Sequence, residues 1–101
     1  MRLLLISYDL RIPGRNYEGV IAELKSALSW WHYLDSTWII RTSLTMDEWN
    51  DRLRTKMDKN DSLLIIDVTN CARQGWLVQD AWNWICEQNR IITETESNTS
   101  R

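Results

Sequence analysis

The feature that most constrains the fold is the opening stretch RLLLISYDL, a short apolar run that ends at Asp9 and is followed by the loop RIPGRN. A run of this length and composition is typical of a strand buried on both faces. Pro13 and Gly14 prevent either regular structure from continuing past it. The sequence therefore predicts a strand over residues 2–9 that carries the Asp9 carboxylate into a loop, where scaffolds often present reactive groups.

Two further segments predict a helix and a pair of strands. Residues 17–28 place apolar side chains at the three- and four-residue spacing of an amphipathic helix beginning near Asn16. The stretch from His32 to Thr42 is rich in β-branched residues and predicts two short strands with a bend near Asp35.

The second half of the chain repeats the alternation of helix and strand. TMDEW has the form of a capping box and predicts a helix over residues 46–57, while LLIIDV (63–68) predicts a buried strand. A Trp-rich helix is expected over residues 76–88. The polar ending TETESNTSR predicts a disordered tail at 93–101, after a single domain at 1–92.

This order of elements predicts an α+β fold, a ferredoxin-like two-layer sandwich (split βαβ) with an extra C-terminal helix. We expect the runs at 3–8 and 63–68 to be adjacent, antiparallel, central strands. The topology would leave Asp67 at the far end of the sheet. The same topology would bring a group of polar and aromatic residues together at one edge of the sheet: Asp9, Arg11, Tyr17, His32, Asp35, Ser36 and Asp61.

Composition limits the classes of function. The chain has 101 residues and a formal net charge of -2, so it offers no long-range attraction for a polyanion. No apolar run approaches the length of a membrane span, and the N-terminal apolar segment is too short for a signal peptide. Cys71 and Cys86 have no partner motif for zinc and predict two reduced thiols. We therefore expect a cytoplasmic protein that makes no membrane contact.

Aromatic usage is unusual, with seven Trp, three Tyr and no Phe. Tryptophan suits both the core of a small domain and protein interfaces. The surplus predicts a homodimer, with the third helix as its interface through Trp76, Trp82 or Trp84.

Several motifs resemble a known family. The strand ending in YDL, the stretch STWIIRTSL, the step Leu44-Thr45 and the step Asp61-Ser62-Leu63 are similar in order and spacing to CRISPR-associated ferredoxin-fold proteins that partner the CRISPR integrase. YDLRIPGRNY and WWHYLDSTWII look like short bacterial and phage proteins labelled SinR-like. The resemblance covers residues 1–68. Where the CRISPR-associated family continues from its fourth strand into another strand, this chain has a Trp-rich helix.

The resemblance implies a ferredoxin-like homodimer with a metal-dependent phosphodiesterase site at Asp9. It also links the chain to the virulence-associated protein D ribonucleases, which are toxins of related fold. Mg²⁺ would be the metal, because it is commonly held by one or two carboxylates together with substrate phosphates.

The residues themselves leave alternatives open. Asp9 is a metal ligand or the acceptor of an Asx-type turn, and His32 is a general base or phosphate contact, or a packing residue at a helix end. Ser36 and Thr37 donate to a phosphate or cap the bend. Arg11 and Arg15 form an anion-binding loop or a solvated one. Tyr17 and Trp38 stack on a base or fill the core.

The function predicted from these residues is binding of a phosphate-bearing nucleotide or nucleic acid at the edge where the first strand ends. A nucleotide-sequestering protein of a mobile element would have this property. One alternative is a metal-dependent endoribonuclease of CRISPR-associated or toxin type with Asp9 and His32 as catalytic residues. Another is a non-catalytic protein-interaction subunit.

Overall fold

A computed structural model describes residues 1–12 and 17–99 of the chain, and within them an α+β fold. A single sheet contains four strands, and three helices pack on it. The elements in chain order are β1 (Arg2–Asp9), α1 (Glu18–Lys25), β2 (Ser29–Leu34), β3 (Thr37–Thr42), α2 (Met46–Arg54), β4 (Ser62–Asp67) and α3 (Gln79–Thr99).

The strands lie in the order β2-β3-β1-β4, and every neighbouring pair is antiparallel. β1 is central and pairs with β3 on one side and β4 on the other, so the predicted adjacency of the first and last strands is confirmed. The prediction that both are central is wrong for β4, which forms an edge of the sheet. The prediction that this strand is buried is also wrong, because Leu64 and Ile66 are 53% and 44% exposed on the face that α3 does not cover here. Two consecutive Leu and two consecutive Ile are typical of a strand covered on both faces, but they carry no information about neighbours in the sheet.

The two faces of the sheet hold separate apolar clusters. The first face is covered by α1 and α2, and we call it the α1–α2 face. Its cluster is formed by Leu4, Ile6, Val20, Leu24, Trp38, Ile40, Trp49, Leu53 and Met57. The opposite face, the α3 face, carries Leu3, Trp31 and Ile39 against Ala81, Ile85 and Ile92 of the last helix. The helix predicted after the fourth strand therefore lies across the face that α1 and α2 leave open.

α3 differs from its predicted bounds at both ends. It begins at Gln79, after Trp76, and residues 93–99, expected in a disordered tail, continue the helix. Ile92 is buried on the sheet, and Arg90 pairs with Glu87 and Glu94 along the exposed side. Pairs at this spacing stabilise a helix whose composition is polar. Residues 100–101 lie outside the described residues.

Of the tryptophans expected at an interface, Trp82 and Trp84 are partly buried against the cluster on the α3 face, and Trp76 is exposed. The Trp31 indole donates to the Ala81 carbonyl at 3.1 Å, and the Trp84 indole donates to Ser29 Oγ at 2.9 Å. Trp82 packs partly buried beside them. Only Trp76, which precedes α3, is fully exposed among the described large apolar residues. Two of the three proposed interface residues thus attach α3 to its own sheet.

The capping box predicted from TMDEW is present at the start of α2. Thr45 Oγ1 accepts from the Glu48 backbone N–H at 3.1 Å, and the Glu48 carboxylate accepts from the Thr45 N–H at 3.4 Å. Each bond satisfies a donor that the helix itself cannot pair.

Replacing this cap should have a modest and separable effect. We expect Thr45→Ala to lower the free energy of unfolding by about 0.5–2 kcal/mol, because the Glu48 N–H loses its acceptor. Chemical denaturation would measure the change. Thr45→Ser keeps the hydroxyl and is the matched control; an equal loss in both variants would show that the hydroxyl bond is not the cause.

Candidate functional site

The site predicted at the end of the first strand is assembled from three segments. Asp9 at the end of β1 lies opposite Ser62 at the start of β4, and the Tyr8 N–H donates to the Ser36 carbonyl in the β2–β3 turn at 3.1 Å. The antiparallel order β3-β1-β4 brings these ends together because β1 finishes where its two neighbours begin. We call this region the β1 edge.

A buried carboxylate holds the loops of the β1 edge in place. Asp61 is 7% exposed, and its Oδ1 accepts from the Arg11 backbone N–H at 2.8 Å and from the Tyr17 hydroxyl at 3.0 Å. Its Oδ2 accepts from the Asp58 N–H at 2.7 Å. One side chain thus connects the loop after β1, the start of α1 and the turn before β4.

The sequence predicted that Asp61 lies at this edge but not that it organises it. The available signal is its position: an Asp that closes the polar turn DKND is an ordinary acceptor for free N–H groups in such turns. The Tyr17 hydroxyl, in addition to donating to Asp61, accepts from the Ile12 N–H at 3.4 Å. Tyr17 therefore supports the architecture of the loop, and its assignment as a stacking residue stays a prediction.

Asp9 and Arg11 form an ion pair on the surface. Arg11 Nη2 lies 3.0 Å from Asp9 Oδ2, and the two side chains are 58% and 63% exposed. Exposed pairs of this kind contribute little to stability, since water and salt screen them. The Arg11 guanidinium can therefore exchange Asp9 for another anion at small cost, while its backbone stays fixed by Asp61.

Hydroxyl groups lie beside this ion pair on the α3 face. Ser7 Oγ and Thr37 Oγ1 are 3.1 Å apart across β1 and β3. A shallow depression of about 230 Å³ is lined by Ser7, Tyr8, Asp9, Ser62, Leu63 and Leu64. This volume is below the roughly 300–1,000 Å³ of pockets that enclose a drug-sized ligand. The depression fits a phosphate or a sugar ring rather than a whole enclosed nucleotide.

His32 lies at the same end of the sheet but on its other face. Its ring stacks on Trp38 with centroids 3.8 Å apart and planes 14° apart, and Nε2 donates to the Asp35 carbonyl at 2.8 Å. Trp38 belongs to the cluster under α1 and α2, whereas strand alternation points Asp9 to the α3 face. The structure therefore does not bring His32 and Asp9 together as a catalytic pair.

Trp38 is a core residue. It is 0% exposed, His32 stacks on it, and Trp30 contacts it with ring centroids 5.5 Å apart. Its indole N–H donates to the Tyr8 hydroxyl at 3.1 Å. No base can stack on a buried ring, which corrects its assignment to ligand binding. Ser36 is exposed in the turn, and Arg15 lies outside the described residues.

The donors at the β1 edge do not fit a magnesium site within one copy of the chain. Residues 1–12 and 17–99 contain no group of three or more His, Cys, Asp or Glu side chains that could hold a metal ion. The Arg11 guanidinium, 3.0 Å from the Asp9 carboxylate, also repels a cation at that carboxylate. Asp9 alone is therefore a poor ligand set for Mg²⁺.

Asp67 lies at the opposite end of β4, as predicted, opposite Leu4. Partial burial raises its pKa, but hydrogen bonds from the Thr69 N–H and hydroxyl, with the charge of Arg2, outweigh burial and lower that pKa overall. Asp67 thus organises the loop after β4 and takes no part in the β1 edge.

Comparisons with protein-family models, with curated proteins and with solved structures find no match for this chain. None of the helices within the described ranges combines the length and apolar character needed to cross a membrane.

Proposed function

We propose that the fold is ferredoxin-like, a split βαβ sandwich with α3 added on its open face. The strand order β2-β3-β1-β4, antiparallel throughout, supports this proposal. So do the positions of the helices, since α1 connects β1 to β2 and α2 connects β3 to β4.

We propose that the β1 edge binds a phosphate group carried by a nucleotide or a nucleic acid. The observation that carries this proposal is the arrangement of Arg11, whose backbone is held by the buried Asp61 while its guanidinium remains exposed. Guanidinium groups bind phosphate through paired, charge-assisted hydrogen bonds. The Ser7 and Ser62 hydroxyls in the adjoining depression supply neutral donors beside it.

Charge sets the strength and salt dependence of such binding. The chain carries a formal net charge of -2, so attraction comes from the local group and not from the whole surface. We expect modest affinity that falls with added salt. The exposed free thiols Cys71 and Cys86 fit a reducing compartment, and we propose a cytoplasmic protein.

Two substitutions at the Asp9–Arg11 ion pair should change the affinity for phosphate in opposite directions. Arg11→Ala should weaken binding of a fluorescently labelled adenine nucleotide by about tenfold, the loss expected for one charge-assisted contact. Asp9→Asn should strengthen it several-fold, because a competing anion is removed from Arg11. Fluorescence anisotropy titrations at low salt, run with the nucleotide and separately with a short RNA, would measure both effects.

Matched controls and two contrary outcomes make the test specific. Arg90→Ala and Asp51→Asn change the same charges on α3 and α2 and should leave binding unaltered. If instead the wild type cleaves RNA with Mg²⁺ and Asp9→Asn abolishes cleavage, the metal-dependent endoribonuclease is the correct function. Equal affinity in wild type and Arg11→Ala would contradict phosphate binding at this edge and favour a protein-interaction subunit.

A further inference from the structure

The two edge strands of the sheet differ in how well they can accept another strand. β2 changes register between Trp31 and Leu34, which interrupts its ladder with β3. β4 stays in register with β1 over all six residues and contains no Pro, Gly or Lys. Regular edges without such protection readily pair with a further strand, whereas an irregular edge resists pairing.

The hydrogen bonds between β4 and β1 show which backbone N–H and C=O groups of β4 point away from the sheet. The Val68 N–H donates to the Leu3 carbonyl at 2.9 Å, so residues of the same parity in β4, Ser62, Leu64 and Ile66, also direct their backbone groups toward β1. Leu63, Ile65 and Asp67 therefore direct their N–H and C=O groups outward. The free edge presents three regularly spaced donor–acceptor positions centred on Ile65.

Exposed apolar side chains flank this edge on the α3 face. Leu64 is 53% exposed and Ile66 is 44% exposed. α3 packs over Leu3 and Trp31 instead, because Trp31 and Trp84 tie it to the far side of the sheet. The part of the face above β4 is left without cover from α3.

We propose that β4 pairs antiparallel with β4 of a second copy of this chain, about a two-fold axis at Ile65. In this register Ile65 faces Ile65, and Leu63 faces Asp67 of the second copy, so every outward backbone group meets a partner. Leu64 faces Ile66 of the second copy on the α3 face. The two sheets then form one continuous sheet of eight strands, with the α3 faces of both copies on the same side.

Charged side chains on α2 lie near the free edge of β4, where the second copy would bind. Arg52 pairs with Glu23 on α1, and Arg54 donates to the Asp61 carbonyl at the start of β4, so the Arg54 side of α2 looks over the free edge. Asp47 lies seven residues earlier and returns to the same side of the helix. The two-fold axis sets the two α2 helices antiparallel, so the acidic end that carries Asp47 in one copy points the same way as the basic end that carries Arg54 in the other.

A mixing experiment tests both the dimer and its register. Wild type should show twice the 12.1 kDa mass of one chain in sedimentation equilibrium. Leu64→Lys alone and Ile66→Glu alone should each raise the dimer dissociation constant about tenfold or more, since each places an unpaired charge against an apolar partner. An equimolar mixture of the two variants should recover a heterodimer, because the ammonium introduced at position 64 of one chain then faces the carboxylate introduced at position 66 of the other.

Controls separate loss of pairing from loss of folding. Leu34→Lys changes a residue of similar exposure, 48%, on the other edge and should leave the mass unchanged. Amide hydrogen exchange provides a measurement without substitution: the Leu63, Ile65 and Asp67 N–H groups should gain protection as concentration rises. A wild-type monomer at the highest soluble concentration, or a dimer that Leu64→Lys leaves intact, overturns the proposal.

Discussion

Replacing Asp61 by Ala should lower the free energy of unfolding by about 3–5 kcal/mol, a large loss for one surface loop. The Arg11 N–H, the Asp58 N–H and the Tyr17 hydroxyl all donate to this buried carboxylate. Each donor left without an acceptor in a buried position costs about 1–3 kcal/mol, partly offset where water enters. Urea denaturation followed by circular dichroism would measure the loss.

The same variant should also lose phosphate binding, because Arg11 is no longer held at the β1 edge. Asp51→Ala, which removes an exposed carboxylate from α2, is the matched control and should change stability by less than about 0.5 kcal/mol. Asp61→Asn keeps one acceptor oxygen and should fall between wild type and Ala. A stability loss for Asp61→Ala no larger than that of the control would mean that the loops are held by other contacts.

Trp38→Ala should be the most destabilising single truncation on the α1–α2 face, at about 3–5 kcal/mol. The indole is fully buried among the residues that join the sheet to α1 and α2, and its removal leaves a cavity. The Tyr8 hydroxyl also loses a donor, and His32 loses the surface on which it stacks. Small domains have a total stability of about 5–15 kcal/mol, so this variant approaches the limit of folding.

Trp76→Ala is the natural control for Trp38→Ala, since it removes the same side chain from a fully exposed position. We expect its effect on unfolding to stay within about 0.5 kcal/mol. Thermal and urea denaturation of both variants would give the comparison. Similar losses at the two positions would be incompatible with Trp38 as a core residue.

Several parts of the fold that the sequence predicted are encoded within short segments. β1 has the bounds expected from RLLLISYD, and the Thr45–Glu48 capping box was readable because both partners lie within one turn. The continuation of α3 was missed because the residues that follow the buried Ile92, TETESNT, are polar throughout. The pairing of β4 with β1 was predicted from the order of the elements, but the edge position of β4 was missed because the apolar run LLIID resembles that of a strand with neighbours on both sides.

The sequence predicted where the candidate site lies but not which of its residues face one another. The order of elements brought Asp9, Ser36 and Asp61 to one end of the sheet. Which face each residue occupies depends on strand register and on the irregularity in β2 between Trp31 and Leu34, and the sequence does not display either. His32 was therefore grouped with Asp9, although the stack on Trp38 holds it on the opposite face.

The pairing of Trp30 with Trp38 has an optical consequence. Their ring centroids are 5.5 Å apart with planes inclined at 51°, a geometry in which the indole transitions couple and give a paired circular dichroism band. That band belongs to the β2–β3 hairpin on the α1–α2 face, whereas Trp82 and Trp84 report on α3. The molecule therefore contains two spectroscopically distinct reporters, one for each side of its sheet, and comparing their melting curves would show whether the two apolar clusters unfold as one cooperative unit.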